Sequence, residues 1–140
     1  MDPIERAVLD VNRAFYEAFL ARDVVAMERI WALIAPVACM HPGLAPILGR
    51  DEVIRSFRGI LSHPDAPSIT CSDARAHVLG TSAFVTCLEG NAGGTPRLAA
   101  TNVFTLEDGR WRLVHHQAGP LTSPLPAKRE RPAPPSSELN

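Results

Sequence analysis

The sequence predicts an α+β domain in which three helices come first and an antiparallel sheet follows and curves against them. Three observations carry this. Apolar residues recur with a helical period as far as Leu61, and from Ser68 the period drops to two. Asp108-Gly109, flanked by alternating residues, is the strongest hairpin signal in the chain. Helices segregated from a run of strands that turn back on one another form an α+β layout rather than alternating βαβ units.

Each element has its own local reason. Asp2 can cap a first helix, Pro3 suits its first position, and Glu5 can reach back. Ile4, Ala7, Val8, Val11, Phe15, Ala18 and Phe19 then mark one face. Leu9, Tyr16 and Leu20 widen that stripe beyond half the circumference, so other elements should surround the helix. Asp23 caps a second helix with Met27, Ile30, Trp31 and Ile34 on one face, and Pro36 stops it. A short strand at 37–41 ends at Pro42-Gly43. A loop at 44–50 leads to a third helix from Asp51, with Ile54, Phe57 and Leu61 in register. After a Pro-rich loop, 68–79 is long for a strand, so a bulge is expected, with Ser72-Asp73 as its place. Strands at 83–89, 97–106 and 110–118 complete the meander.

Beyond 118 the pattern stops. All eight aromatics lie between Phe15 and Trp111, and residues 119–140 are Pro-rich without apolar periodicity. Such a segment has too little apolar surface to offset its ordering entropy. The expected organisation is therefore a domain at 1–118 and a mostly disordered tail at 119–140. Pro132, Pro134 and Pro135 after Arg131 could serve as a partner ligand; a solvated tail is the plainer reading.

Composition excludes several function classes. A net charge of −1 argues against nucleic acid, which needs a clustered basic excess. No apolar run approaches the roughly 18 residues of a membrane helix. The acidic N-terminus lacks a signal peptide's basic start, and three cysteines without paired spacing fit reduced thiols, so a cytoplasmic protein is expected. The one lysine, Lys128, lies in the tail, which removes Schiff-base chemistry from the domain.

Several segments together resemble a known family. They are Phe15-Tyr16 with Ala18-Phe19 and Asp23, Trp31, Cys39 with His41-Pro42-Gly43, Gly49-Arg50-Asp51 with Ile54, Ala100-Thr101-Asn102-Val103-Phe104, and Asp108-Gly109-Arg110-Trp111 running on to His115-His116-Gln117. This pattern, over about residues 4–119, is similar to the SnoaL-like branch of the nuclear-transport-factor-2-like superfamily. The resemblance implies a cone: a strongly curved antiparallel sheet cupping three helices, with a pocket at the open end. It implies a homodimer joined through the outer face of the sheet. Members of the family include isomerases, cyclases, dehydratases, hydrolases and non-enzymatic association domains, so the resemblance fixes fold better than function.

Alternation along the last strand puts Trp111, Leu113, His115 and Gln117 on the core face, with Val114 and His116 outside. On the preceding strand Ala100, Asn102, Phe104 and Leu106 share a face. Related association domains carry an arginine at the Asn102 position that binds carboxylates, and family members often carry a histidine where this chain has Gln117. Here both are neutral, which implies a neutral or weakly polar small-molecule ligand. Cys87 and Glu89 can face inward on the strand before. The expected site joins His115, His41 and Glu89 as acid/base groups with Tyr16, Trp31, Cys39, Phe57, Asn102, Phe104 and Gln117 as binding residues. Asp73 is a further candidate base. Against each stands a plainer reading: a structural histidine, a solvated strand-end carboxylate, a core aromatic, a buried thiol. A Cys39–His41 nucleophile pair is disfavoured, because side chains two apart on a strand sit about 7 Å from each other. No spacing supports a metal site, and no cofactor is needed. The expected function is a small-molecule binding protein or a cofactor-independent isomerase, cyclase or lyase; the alternative is a non-catalytic dimerisation module with a vestigial pocket.

Overall fold

The computed structural model describes residues 1–123 and 125. The greater part of the expected tail, including its candidate partner motif, lies outside the described residues. Helix α1, Pro3–Ala21, starts where the sequence sets it, with the Asp2 carboxylate accepting the Ile4 N–H at 2.9 Å. Helix α2 spans Val24–Ile30 and is capped by Asp23 at the Ala26 N–H, 3.0 Å. It ends earlier than its apolar face suggests. Trp31 leaves helical geometry, forms a bridge to Leu113, and hands the chain on so that the Ala32 N–H donates to Leu113 O. Ile34, expected on the buried helix face, is 76% exposed.

Two side chains hold this early ending. The Arg50 guanidinium donates to the Trp31 and Glu28 carbonyls, each at 2.8 Å, answering acceptors that the helix terminus leaves open. The Glu107 carboxylate accepts from the Leu33, Ile34 and Ala35 N–H groups at 2.7–3.1 Å. Strand β1 is Ala38–Met40. The expected 44–50 loop contains a short strand, β2 at Ile47–Leu48, paired antiparallel with β1. Helix α3, Arg50–Ser62, begins one residue before Asp51, entered through Gly49 at φ 86°.

The meander follows as β3 Ile69–Leu79, β4 Ser82–Asn91, β5 Leu98–Glu107 and β6 Arg110–Pro120. The expected bulge in β3 falls between Ser72 and Arg75, with Asp73 at φ 52°. The sheet runs β2-β1-β6-β5-β4-β3, and β1 joins β6 in parallel. It curves around α1, which packs on β3, β4 and β6. Phe15, Trp31, Phe57, Phe104, Met27 and Leu113 are fully buried between helices and sheet. The architecture is thus an α+β cone. The last strand runs past the expected boundary at 118, and the Leu121 N–H still donates to Arg97 O at 2.8 Å.

A second bulge corrects the reading of β6. Val103 pairs with His115 and Phe104 with Leu113, so Val114 has no partner opposite. One extra residue reverses the faces of everything beyond it. Leu113, His116 and Ala118 are buried, whereas His115 is only half-buried and Gln117 is exposed. His116 therefore points into the cone and His115 does not, the opposite of simple alternation.

Candidate functional site

Four elements converge on a buried polar cluster. Asn12 and Tyr16 lie one turn apart on the inner face of α1. Cys87 and Glu89 alternate inward on β4, Asn102 faces in from β5, and the bulge delivers His116 from β6. Asn102 Nδ2 donates to Asn12 Oδ1 at 2.8 Å and to the Tyr16 hydroxyl oxygen at 3.1 Å. With its amide donors so used, Asn102 Oδ1 accepts from His116 Nδ1 at 2.5 Å. That assigns the proton of the neutral ring to Nδ1 and leaves Nε2 as an acceptor. Nε2 stands 3.9 Å from Glu89 Oε2, which accepts the Tyr16 hydroxyl at 2.5 Å.

The environment moves these groups in opposite directions. Burial, with the nearby His41 and His115, lowers His116 from 6.5 to about 3. Burial raises the Glu89 carboxyl, partly opposed by the Tyr16 hydrogen bond. Burial and the Glu89 charge push Tyr16 well above its ordinary value, so it remains a proton donor. Burial thus displaces the two groups toward each other's range, raising the carboxyl and lowering the imidazole.

The cluster forms one end of a cavity of about 270 Å³ that Tyr16, Glu89 and His116 all line. Phe15, Phe19, Ile69 and Leu98 make its walls apolar, and His41 and Pro42 border it from the end of β1. His41 Nε2 is 2.6 Å from Ser56 Oγ, and burial lowers its pKa. The Cys39 sulfur lies 3.9–4.0 Å from the His41 ring nitrogens, closer than strand spacing suggests, because His41 sits past the last residue of β1. Burial, with the Glu89 charge, pushes the Cys39 thiol up to about 12, which disfavours the thiolate despite that proximity.

Other expected residues fall elsewhere. Trp31, Phe57 and Phe104 pack in the core, although the Phe57 ring stands 5.1 Å from that of His41. His115 Nδ1 donates to Ala38 O at 2.9 Å and holds β1 against β6. Gln117 opens with Asp73 onto a depression on the outer face of the sheet, and Asp73 pairs with Arg75 at 3.1 Å. Sequence reasoning missed Asn12 and turned His116 outward. Asn12 did leave a signal, as the polar residue in the buried row formed by Val8 and Tyr16 at four-residue spacing. Among the described residues no group of three or more His, Cys, Asp or Glu side chains is placed to hold a metal ion.

The curved sheet and three helices define an α+β cone, with the buried polar cluster beside an apolar cavity. The family model of the SnoaL-like domain matches residues 8–123, and the chain belongs to that family. It is 32% identical over 114 residues to the F-box protein SKIP8 of Arabidopsis thaliana, covering 81% of this chain and 49% of that protein. The chain thus spans about half the length of that curated relative. A nuclear-transport-factor-2-like protein of Streptomyces avermitilis, provisionally described as a dehydratase, superposes with a TM-score of 0.77 at 30% identity, over 86% of this chain and 97% of that one. A protein of Thiobacillus denitrificans, provisionally described as a calcium/calmodulin-dependent protein kinase type II association domain, superposes with a TM-score of 0.66 at 31% identity, over 80% and 93%.

Proposed function

We propose that the cavity binds a small, neutral, largely apolar molecule bearing a carbonyl, and that Glu89 and His116 move a proton on it without a cofactor. The observation that carries this is the 3.9 Å approach of His116 Nε2 to Glu89 Oε2 at the wall of an apolar cavity, with pKa values displaced in opposite directions. In an isomerisation or elimination, Nε2 takes the proton from the carbon beside the carbonyl. The Glu89 carboxyl gives its proton to the developing oxygen or to a leaving hydroxyl. In the elimination the proton on Nε2 then passes to Glu89, which resets the pair; in the isomerisation Nε2 returns its proton to the far carbon of the enol and Glu89 takes back the proton of the oxygen. Asn102 fixes the ring tautomer that makes Nε2 the base, and Tyr16 holds the carboxyl in place. The cavity is at the small end of ligand sites, which favours short-chain or single-ring substrates.

The test is proton exchange in heavy water, followed by NMR on a panel of cyclic ketones and β-hydroxy ketones. The wild-type protein should label or dehydrate at least one member. His116→Asn and Glu89→Gln should each lower that rate by about 10²-fold or more. Rates equal to wild type in both variants overturn the reading. A second reading, association through the outer face of the sheet, is favoured by the depression of about 400 Å³ there and by the likeness to the described association domain.

A further inference from the structure

Two thiols in the polar cluster have no part in the acid/base reading. Cys71 on β3 is opposite Glu89 on β4, and Cys87 lies two residues along β4 on the same inward face. The register sets the two thiols diagonally across the β3–β4 pair, beside the β3 bulge. Helix α1 brackets them: Asn12 Nδ2 is 3.8 Å from the Cys71 sulfur and the Tyr16 hydroxyl is 3.3 Å from the Cys87 sulfur. Because Asn12 and Tyr16 share one donor group on Asn102, the two sulfurs belong to a single connected cluster. The members of the pair differ in access. Cys87 is buried, whereas Cys71 is half-buried and lines a second cavity, of about 360 Å³, between α1 and β3. Tyr16 and Ile69 line both this cavity and the one that holds the acid/base pair.

We propose that Cys71 and Cys87 are a peroxide-sensitive modification site, oxidised to a disulfide that alters the setting of Tyr16 in the neighbouring cavity. Cys71 is half-buried and opens onto the second cavity whereas Cys87 is buried, so Cys71 is the sulfur that peroxide reaches and the attacking one. Its thiolate takes the hydroxyl of hydrogen peroxide, the O–O bond breaks, and hydroxide leaves to be protonated by water. The Cys87 sulfur then displaces the hydroxyl from the Cys71 sulfenic acid, and the Cys87 proton departs with it as water. Both sulfurs are oxidised and the peroxide is reduced to water. The disulfide removes the Cys87 thiol proton beside the Tyr16 hydroxyl, the same hydroxyl that Glu89 accepts from. This site stands whether or not the cavity is catalytic.

The experiment treats the full chain with hydrogen peroxide, blocks remaining thiols in denaturant, and digests with trypsin. Cleavage after Arg58, Arg75 and Arg97 puts Cys71 and Cys87 on separate peptides. They should remain joined, at the mass of the pair less two hydrogens, with Cys39 still free and reductant reversing the link. Cys71→Ser should abolish the link and leave Cys87 largely reduced. Tyr16 is the one tyrosine of the chain, so ring-labelled protein gives a single tyrosine NMR signal, which should shift on oxidation and not in Cys71→Ser. Over-oxidised Cys71 without a link, a link through Cys39 or between molecules, or an unmoved Tyr16 signal would overturn the proposal.

Discussion

Burial, with His41 and His115 nearby, disfavours the charged form of His116, and that has a consequence for stability. Its folded pKa of about 3 lies below the unfolded value of 6.5, so the unfolded chain binds the extra proton between these limits. Stability from this residue is full above about 6.5 and falls as pH drops through the window, by at most about 1.4 kcal/mol per pH unit. Glu89 acts in the other sense. Its folded value is raised, so its contribution is full below 4.5 and is lost as pH rises through the folded value. Urea unfolding across pH 4–8 checks both. His116→Asn should flatten the acid limb and Glu89→Gln the opposite one. Unchanged acid dependence in His116→Asn would show that the imidazole is not held neutral by the fold. The cluster was half legible in the sequence. Glu89 and Asn102 follow from alternation on strands without irregularity between them and the turn, whereas Asn12 requires knowing that its helix face meets the sheet.

The elements differ in how fully local chemistry specifies them. The caps at Asp2 and Asp23 are local, and both helices start where those residues place them. The end of α2 is not local. Its apolar face continues to Ile34, yet Arg50 and Glu107, from α3 and β5, draw the chain out of the helix at Trp31. The β6 bulge is non-local too, since Val114 is extra only against the register of β5. That one residue exchanged His115 for His116 and moved Gln117 out of the cone. The 33–35 segment gives a direct test. Although burial opposes it, the backbone donors of Ala35, Leu33 and Ile34, with Arg112 nearby, hold the Glu107 carboxyl below its ordinary range. Glu107→Ala leaves those N–H groups without their acceptor and should cost about 1–3 kcal/mol in urea unfolding. Glu107→Gln, which keeps an acceptor oxygen, should cost less. Because the folded pKa is depressed, the wild-type advantage over Ala should be present above about 4.5 and shrink as pH falls below it. Equal stability of all three proteins would remove Glu107 as the anchor of this turn.

At the scale of the molecule, the same two strands that carry Asn102 and His116 inward present a shallow concavity outward. Small side chains make it: Ala99 and Thr101 on β5, Thr86 on β4 and Gly119 on β6, with Gln117 at the edge. The convex side of a curved sheet is expected to bulge, so a depression of about 400 Å³ at its centre leaves room for a complementary surface. A second copy meeting this face would cover it about a two-fold axis, each copy giving the same patch. Such a dimer would also brace β5 and β6 behind the acid/base pair, so that association and pocket geometry depend on the same strands. The bulge matters here as well: with His116 turned inward, Gln117 is exposed and supplies a neutral hydrogen-bonding group at the edge of the concavity. Sizing at micromolar concentration should therefore give a dimer. Ala99→Arg, which sets a charge on an exposed position of the concavity without touching the core, should give a monomer that keeps the wild-type circular dichroism. A wild-type monomer, or an Ala99→Arg protein that elutes as wild type, would place the contact elsewhere and leave the concavity without this role.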